Sequence, residues 1–202
     1  MKLSHDCLAL LLAVCVAAPA IGRDVSSPDS LRPLVNCPFG KQLQALSVDR
    51  RSGTAPWRAV ATSFGSLRVS SVDGYRVMLG QPGGAPIVNL KLEKSAPGKL
   101  ADDRTAILAQ MTSFAARPNA PVTPFKVVTR NGIEVMMLED VRLDRSGPVG
   151  IYTLVSEKAN VVATAYLLNQ RADRRGYKNA QEYTALRDEF IGALSSCMAS
   201  QP

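Results

Sequence analysis

Apolar and polar positions alternate along several short stretches that follow residue 66. Leu67–Val72 and Tyr75–Leu79 are apolar stretches separated by Asp73-Gly74, a dipeptide that favours a tight hairpin turn. Apolar and polar side chains also alternate in Ile87–Leu92, as in a strand with one buried and one solvated face. The pattern therefore predicts three strands in this part of the chain.

Helical periodicity replaces this alternation in Lys99–Ala116. Ile107, Met111 and Phe114 recur at steps of three and four, which places them on one face of a helix. Arg117-Pro118 follows directly, and a residue that precedes proline disfavours the helical backbone. We predict one amphipathic helix over this range.

Two hairpins are predicted downstream of the helix. Phe125–Arg130 and Ile133–Leu138 flank Asn131-Gly132, a dipeptide with a strong preference for a two-residue hairpin turn. Val149–Val155 and Asn160–Leu168 flank a second short turn, and both hairpins are rich in β-branched and aromatic residues. These stretches predict four further strands.

The last helix is the most clearly marked element of the chain. Asn179 is a favourable N-cap residue, and Glu182 three positions later resembles a capping box. An apolar stripe at steps of three and four follows; it consists of Tyr183, Leu186, Phe190, Leu194 and Cys197. Such a stripe predicts a helix that is docked on a sheet.

The order of the elements indicates the α+β class. Between Cys37 and Arg58 the pattern is weak, and it indicates at most a short helix over Gly40–Leu46. The remaining elements run three strands, helix, four strands, helix, and most connections are too short for parallel crossovers. We therefore predict an antiparallel sheet of about six to seven strands with two main helices packed on it.

This order of elements resembles the PsbP-like superfamily over roughly residues 60–198. The resemblance rests on Tyr75–Leu79, Ile87–Leu92, the Asn131-Gly132 hairpin, Asn160–Leu168 and the closing helix Gln181–Met198. The superfamily contains an extrinsic photosystem subunit, a Ran-binding nuclear import factor, and bacterial envelope and secretion-associated proteins. The resemblance is one of architecture. It implies a non-catalytic domain that binds proteins, and it identifies no functional residue.

The first residues have the features of a cleavable signal peptide. Lys2 precedes the apolar run Leu8–Ala18, and Ala18-Pro19-Ala20 has the small-x-small pattern of a cleavage site. The run is shorter than the about 20 apolar residues that cross a bilayer. We expect a signal peptide over residues 1–20, a flexible leader over 21–36 and a single α+β domain over 37–202.

After cleavage near Ala20 the protein would be periplasmic or secreted. The alternatives are a cytoplasmic protein with an apolar first helix, and a lipoprotein that is anchored through Cys15. Cleavage would remove His5, the only histidine of the chain. Cys37 and Cys197 would remain, and two cysteines in an exported protein most simply form one disulfide. Two buried free thiols or an intermolecular bond are the alternatives.

The residues that remain after cleavage fit none of the common catalytic patterns. Serine and cysteine hydrolases need an imidazole base, and zinc sites use histidine or several thiolates. Glycine patterns that bind phosphate or dinucleotides are absent from the sequence. We therefore predict no enzymatic activity, no catalytic residue, no metal and no cofactor. A hydrolase that uses only carboxylates stays open, although we expect solvated charges at Glu134, Glu139, Asp140 and Asp144.

The charge balance is basic, with 24 Lys and Arg residues against 17 Asp and Glu residues. This excess favours acidic partners or anionic envelope surfaces. Nucleic acid is disfavoured as a partner, because the charge is dispersed and aromatic residues make up only 5% of the chain. The densest basic stretch lies between the last strand and the last helix, with Arg50-Arg51 as a weaker second patch. We predict that this stretch binds a partner protein through Arg171, Arg174, Arg175, Tyr177 and Lys178.

These features together predict a non-catalytic periplasmic protein-binding domain without a transmembrane segment. Immunity proteins and inhibitors that block a toxin or a cell-wall hydrolase are small, exported and act by occlusion, and we expect such a role here. An envelope accessory or stress factor that binds lipid, peptidoglycan or a membrane complex is the first alternative. The carboxylate-only hydrolase is the second alternative, and a plain solvated loop is the alternative for the basic stretch.

Overall fold

The computed structural model describes residues 29–52, 71–116, 125–139, 147–169 and 177–202. Within these ranges seven strands form one sheet in the order β1-β2-β3-β7-β6-β5-β4, and all neighbouring strands are antiparallel. The elements are α1 (Arg32–Val35), β1 (Gln44–Ser52), β2 (Ser71–Gly80), β3 (Pro86–Ser95), α2 (Leu100–Ala115), β4 (Lys126–Arg130), β5 (Ile133–Glu139), β6 (Gly147–Ser156), β7 (Val161–Asn169) and α3 (Ala180–Ala199). The α+β class is confirmed, but three helices are present where two main helices were predicted.

Helix α3 packs along one face of the sheet, which we call the α3 face. The Asn179 side chain caps the helix by accepting a hydrogen bond from the Glu182 N–H at 2.9 Å. Glu182 reaches back and accepts a hydrogen bond from the Lys178 N–H at 2.7 Å, so the predicted start of the helix is confirmed. The large apolar side chains of the predicted stripe are buried in the core of this face.

Helix α2 packs on the opposite face of the sheet, which we call the α2 face. Ile107, Met111 and Phe114 are buried there, as the helical periodicity predicts. Successive residues of a strand point to opposite faces. Met136 accordingly contacts the α2-face core, whereas Met137 contacts the α3-face core. The sheet is therefore the middle layer between α2 and α3.

Both predicted downstream hairpins are present. The β4–β5 turn has Asn131 at φ 53° and Gly132 at φ 76°, the left-handed backbone that this dipeptide favours. In the β6–β7 turn Asn160 also has a positive φ, of 54°. Its side-chain amide donates to the Ser95 carbonyl oxygen at 2.9 Å, which ties this turn to the neighbouring strand β3.

Two predictions for the first half of the chain were wrong. Asp73-Gly74 lies inside β2, between partners on β1 and β3, and makes no turn. The stretch Leu67–Val72 lies mostly outside the described residues. The short helix over Gly40–Leu46 is absent, because β1 begins at Gln44 and pairs with β2.

The expected flexible leader is folded over its described part, residues 29–36. Leu31, Leu34 and Val35 are buried in the α3-face core, and Phe39 and Leu43 continue this burial. We call residues 29–43 the N-terminal cover, because they lie beside α3 and bury part of the same face. Burial of these apolar side chains explains why the leader prediction fails here.

The predicted disulfide between Cys37 and Cys197 is present, with the two Cα atoms 6.0 Å apart. Phe39 adds a ring contact to Phe190 of α3, at 6.4 Å between centroids. The Lys41 N–H also donates to Glu189 of α3 at 2.8 Å. The disulfide and these contacts therefore attach the N-terminal cover to the C-terminal half of α3.

The predicted solvated face of Ile87–Leu92 was wrong. Asn89, Lys91 and Glu93 alternate with apolar residues as the pattern requires, but each is 3% exposed or less. The Lys91 ammonium lies 5.7 Å from the centre of the Tyr166 ring on the adjacent strand. The apolar residues of β3 are buried in the α3-face core. Asn89 and Glu93 lie on the α2 face, because their partners on β7, Tyr166 and Val162, belong to the α2-face core.

Candidate functional site

The predicted partner-binding stretch leaves the sheet at the end of β7 and enters α3 at Ala180. Arg171, Arg174 and Arg175 lie outside the described residues. Lys178 is exposed at the start of α3. Tyr177, in contrast, is only 2% exposed, so it is not an anchor on the binding surface.

Tyr177 holds the two ends of this stretch together. Its hydroxyl donates a hydrogen bond to the Leu168 carbonyl oxygen at 3.1 Å, although nine positions separate the two residues. Its ring packs edge-on against Tyr183 of α3, at 5.3 Å between centroids. We call this arrangement the Tyr177 clasp. It fixes the positions of the two described ends of this stretch, at Leu168 and at Tyr177.

A buried polar network lies beneath the clasp. The Tyr183 and Tyr152 hydroxyl oxygens are 2.5 Å apart, and Tyr152 donates a hydrogen bond to Glu139. Glu139 also accepts a hydrogen bond from Nη1 of Arg187 at 2.5 Å. The side chains of Arg187 and Glu139 are 13% and 7% exposed. This network links β5 and β6 of the sheet to α3.

Burial raises the pKa of both Tyr152 and Tyr183 well above the ordinary value, and the negative charge of Glu139 adds to the effect. Both phenols therefore keep their protons at neutral pH. They act as hydrogen-bonding groups of the network, and they are poor candidates for an acid or base that must exchange a proton near pH 7.

Gly150 provides space for this network. It lies opposite Glu139 in the pairing of β5 with β6. A Cβ atom at Gly150 would lie 2.5 Å from the Tyr152 hydroxyl oxygen. Any larger residue would therefore push the Tyr152 side chain out of its place.

Two of the four acidic residues singled out in the sequence lie in the described ranges, and both accept hydrogen bonds from arginine side chains. Glu139 was expected in solvent and is buried in the network, so that expectation was wrong. Its position could have been found from alternation, since Val135 and Met137 share its face and are buried. Glu134 makes a bidentate ion pair with Arg104, at 2.8 and 2.6 Å. Asp140 and Asp144 lie outside the described residues.

In the second basic patch, Arg50 also forms ion pairs within the protein. Arg50 lies 3.7 Å from Asp29 and 3.5 Å from Asp73, and its guanidinium is 5.9 Å from the centre of the Tyr75 ring. Tyr75 itself donates a hydrogen bond to Asp29. Arg50 therefore helps to hold the start of the N-terminal cover. The side chain of Arg51 is not described.

A groove of about 1020 Å³ opens at the end of the sheet opposite to the Tyr177 clasp. The first turn of α2, the β4–β5 turn, the β6–β7 turn and Ala199 of α3 line it. Its polar groups include the Arg104–Glu134 pair and the exposed Glu157 and Lys158. The Asn131 side-chain amide donates to Ser195 and Ser196 of α3, at 3.0 and 2.9 Å, which holds one wall of the groove in place. Sequence patterns gave no sign of this groove.

Among the described residues, no three His, Cys, Asp or Glu side chains are grouped as metal ligands. None of the helices in these ranges is long and apolar enough to cross a membrane.

Comparison of the chain with protein-family models, with curated proteins and with solved structures finds no match.

The clasp leads to a direct prediction for Tyr177→Phe. Loss of the hydrogen bond to Leu168 should cost about 1 kcal/mol, because such bonds contribute about that much to stability. If the stretch opens locally before cleavage, trypsin should then cut after Arg171, Arg174 or Arg175 about fivefold faster. Mass spectrometry of the fragments measures the rate. Tyr75→Phe, which removes the bond to Asp29 elsewhere, serves as the control. Equal cleavage rates in both variants and the wild type would show that the clasp does not restrain this stretch.

Proposed function

We propose that this chain is a non-catalytic protein-binding domain of the bacterial envelope that recognises an acidic protein surface, and that it acts as an inhibitor or immunity protein. The Tyr177 clasp is the observation that supports this proposal most strongly. The clasp joins the two ends of an arginine-rich stretch to β7 and α3. Functional loops are commonly held in this way by a stable scaffold.

Arginine suits this role for a physical reason. The guanidinium binds carboxylates through two parallel hydrogen bonds, and it is a frequent anchor at the centre of protein interfaces. Fixed loop ends reduce the entropy that is lost when the loop binds. Arg171, Arg174 and Arg175 are therefore the residues that we propose to contact the partner, with Lys178 beside them and Tyr177 as the positioning residue.

A further observation agrees with a role without catalysis. The two described carboxylates of the candidate hydrolase, Glu134 and Glu139, are both engaged by arginine side chains. The resemblance to the PsbP-like superfamily stays part of the proposal, and with it a role in binding proteins. Export through the signal peptide would place this binding in the periplasm.

The proposal is tested with the oxidised, processed protein, tagged at its C-terminus and cross-linked in an envelope extract. A protein identified in this way is then purified and titrated. Replacing Arg171, Arg174 and Arg175 by Gln should weaken its binding about 100-fold, which corresponds to about 2.8 kcal/mol. A control variant with Arg32→Gln, Lys41→Gln and Lys99→Gln removes the same charge from exposed positions elsewhere. The control should bind within about threefold of the wild type.

Two results would reject the proposal. Equal losses in the two variants would mean that net charge alone is responsible for binding. Absence of any saturable protein partner, together with salt-sensitive binding to anionic phosphatidylglycerol vesicles or to murein, would assign the protein to the envelope accessory class.

A further inference from the structure

The exposed large apolar side chains among the described residues lie on the two edge strands of the sheet. Val48 on β1 is 40% exposed, and Val127 on β4 is 45% exposed. Edge strands carry backbone N–H and C=O groups that no neighbouring strand satisfies, and natural proteins usually protect them. The two edges of this sheet can therefore be compared directly.

Strand β1 is protected against pairing. Its register shifts between Ala45 and Ser47, and such a bulge interrupts the row of backbone groups. The charged side chains of Asp49 and Arg50 are exposed on the same strand. Strand β4 has no register shift, because its residues pair in step with β5 from Lys126 opposite Met137 to Arg130 opposite Ile133. The β4 edge is thus the more regular template for another strand.

The β4 edge also continues into the groove at the end of the sheet. Val127 and Thr129 both lie on the α2 face, since their partners on β5 are Met136 and Glu134. Thr129 is part of the groove lining. An extended chain beside β4 would therefore pass from Val127 over Thr129 towards the groove.

The charges of β4 decide which kind of chain fits. Lys126 and Arg130 lie at its two ends and share the α3 face with Val128. A second copy of this chain, paired antiparallel about Val128, would place Lys126 opposite Arg130, and like charges in direct opposition are destabilising. An acidic residue opposite Lys126 would be attracted instead, and one opposite Arg130 would share the half-exposed guanidinium with Asp188, which lies 3.3 Å away on α3. We propose that the β4 edge binds an extended acidic segment of a partner protein, which adds an eighth antiparallel strand to the sheet and continues into the groove.

This inference rests on the proposed protein-binding function and names a second contact region for the same partner. The expected segment has acidic residues facing Lys126 and Arg130, and β-branched residues facing Val127 and Thr129. The recognition mode is strand addition, in which backbone hydrogen bonds give affinity and alternate side chains give selectivity.

The test uses two capped peptides as probes, Glu-Val-Thr-Val-Glu and its charge-reversed form Lys-Val-Thr-Val-Lys. Titration of the labelled full-length protein by NMR should move the backbone amide signals of residues 126–130 with the acidic peptide and not with the basic peptide. Val127→Asp should weaken binding of the acidic peptide about tenfold. Val48→Asp is the matched control, because it changes the same residue type at similar exposure on the other edge strand, and it should alter binding by less than about twofold.

Three outcomes overturn the proposal. These are shifts confined to β1 that Val48→Asp abolishes, saturation by neither peptide, and a salt-stabilised dimer that Val127→Asp dissolves. The last outcome would identify a second copy as the occupant. The envelope titration of the arginine variants is independent of this test. If neither peptide binds but the arginine variants weaken partner binding as expected, only the β4 docking mode is rejected. If the acidic peptide binds at β4 but the arginine variants have no specific effect, the inhibitor proposal is rejected and the β4 docking edge is retained.

Discussion

Arg187→Met is expected to destabilise the fold by about 3–5 kcal/mol, one of the two largest effects that the structure predicts. Arg187 donates to Glu139 at 2.5 Å, and both side chains are largely buried. Without Arg187 the Glu139 carboxylate would stay inside the protein with Tyr152 as its remaining charge-stabilising neighbour. Urea unfolding at pH 7, followed by circular dichroism, measures the loss.

Arg130→Met is the matched control for this variant. Arg130 pairs with Asp188 at 3.3 Å, but the two side chains are 36% and 41% exposed. Asp188 also accepts a hydrogen bond from Arg187 at 3.1 Å, so the control variant keeps both the Asp188 and the Glu139 contacts of Arg187. Exposed pairs contribute about 0–1 kcal/mol, so the control should be nearly neutral. The double variant Glu139→Gln with Arg187→Met should cost about 2 kcal/mol less than the sum of the single changes, because the two groups act on each other. Similar losses for Arg187→Met and Arg130→Met would mean that the buried Glu139–Arg187 pair stabilises the fold no more than an exposed pair does.

Reduction of the Cys37–Cys197 disulfide is expected to cost about 2–5 kcal/mol and to lower the melting temperature by about 10 °C. The bridge spans a sequence separation of 160 residues, so it restricts most of the unfolded chain. It also attaches the N-terminal cover to the last turn of α3. Amides around Leu34 and Val35 should therefore lose hydrogen-exchange protection before those of β6 and β7 do.

The double variant Cys37→Ser with Cys197→Ser separates the bridge from other effects of the reductant. Its melting temperature should equal that of the reduced wild type, and it should not respond to the reductant. A melting temperature that is unchanged by reduction of the wild type would contradict the assigned stabilising role. Loss of protection in the whole sheet at once would show that the N-terminal cover does not open as a separate unit.

The elements that sequence patterns predicted well are those whose signals are local. Helix α2 was predicted over Lys99–Ala116 and occupies Leu100–Ala115. The Asn179 cap and the Asn131-Gly132 turn involve residues no more than three positions apart, so neighbouring side chains are enough to specify them. Asp73-Gly74 failed as a turn signal because β2 lies between two neighbours, and pairing on both sides keeps it extended.

In the candidate site, too, local features could be predicted from the sequence, whereas contacts between distant segments could not. The basic composition of residues 170–178 could be read from the sequence, and the exposure of Lys178 agrees with it. The role of Tyr177 could not be read, because its contacts are the Leu168 carbonyl and the Tyr183 ring rather than a partner. The groove was also missed, since two turns and two helix ends build it from distant parts of the chain.

By itself the sequence determined the α+β class, the two downstream hairpins, the two long helices and the pairing partners of the disulfide. Only the tertiary structure decided which polar residues are buried, which tyrosines act as clasp and network, and which of the two edge strands among the described residues is the more regular. The physical reason is that turns and caps are set by backbone preferences and bonds within a few residues. Burial and strand order depend instead on contacts between segments such as β5 and α3, which are about 50 residues apart along the chain.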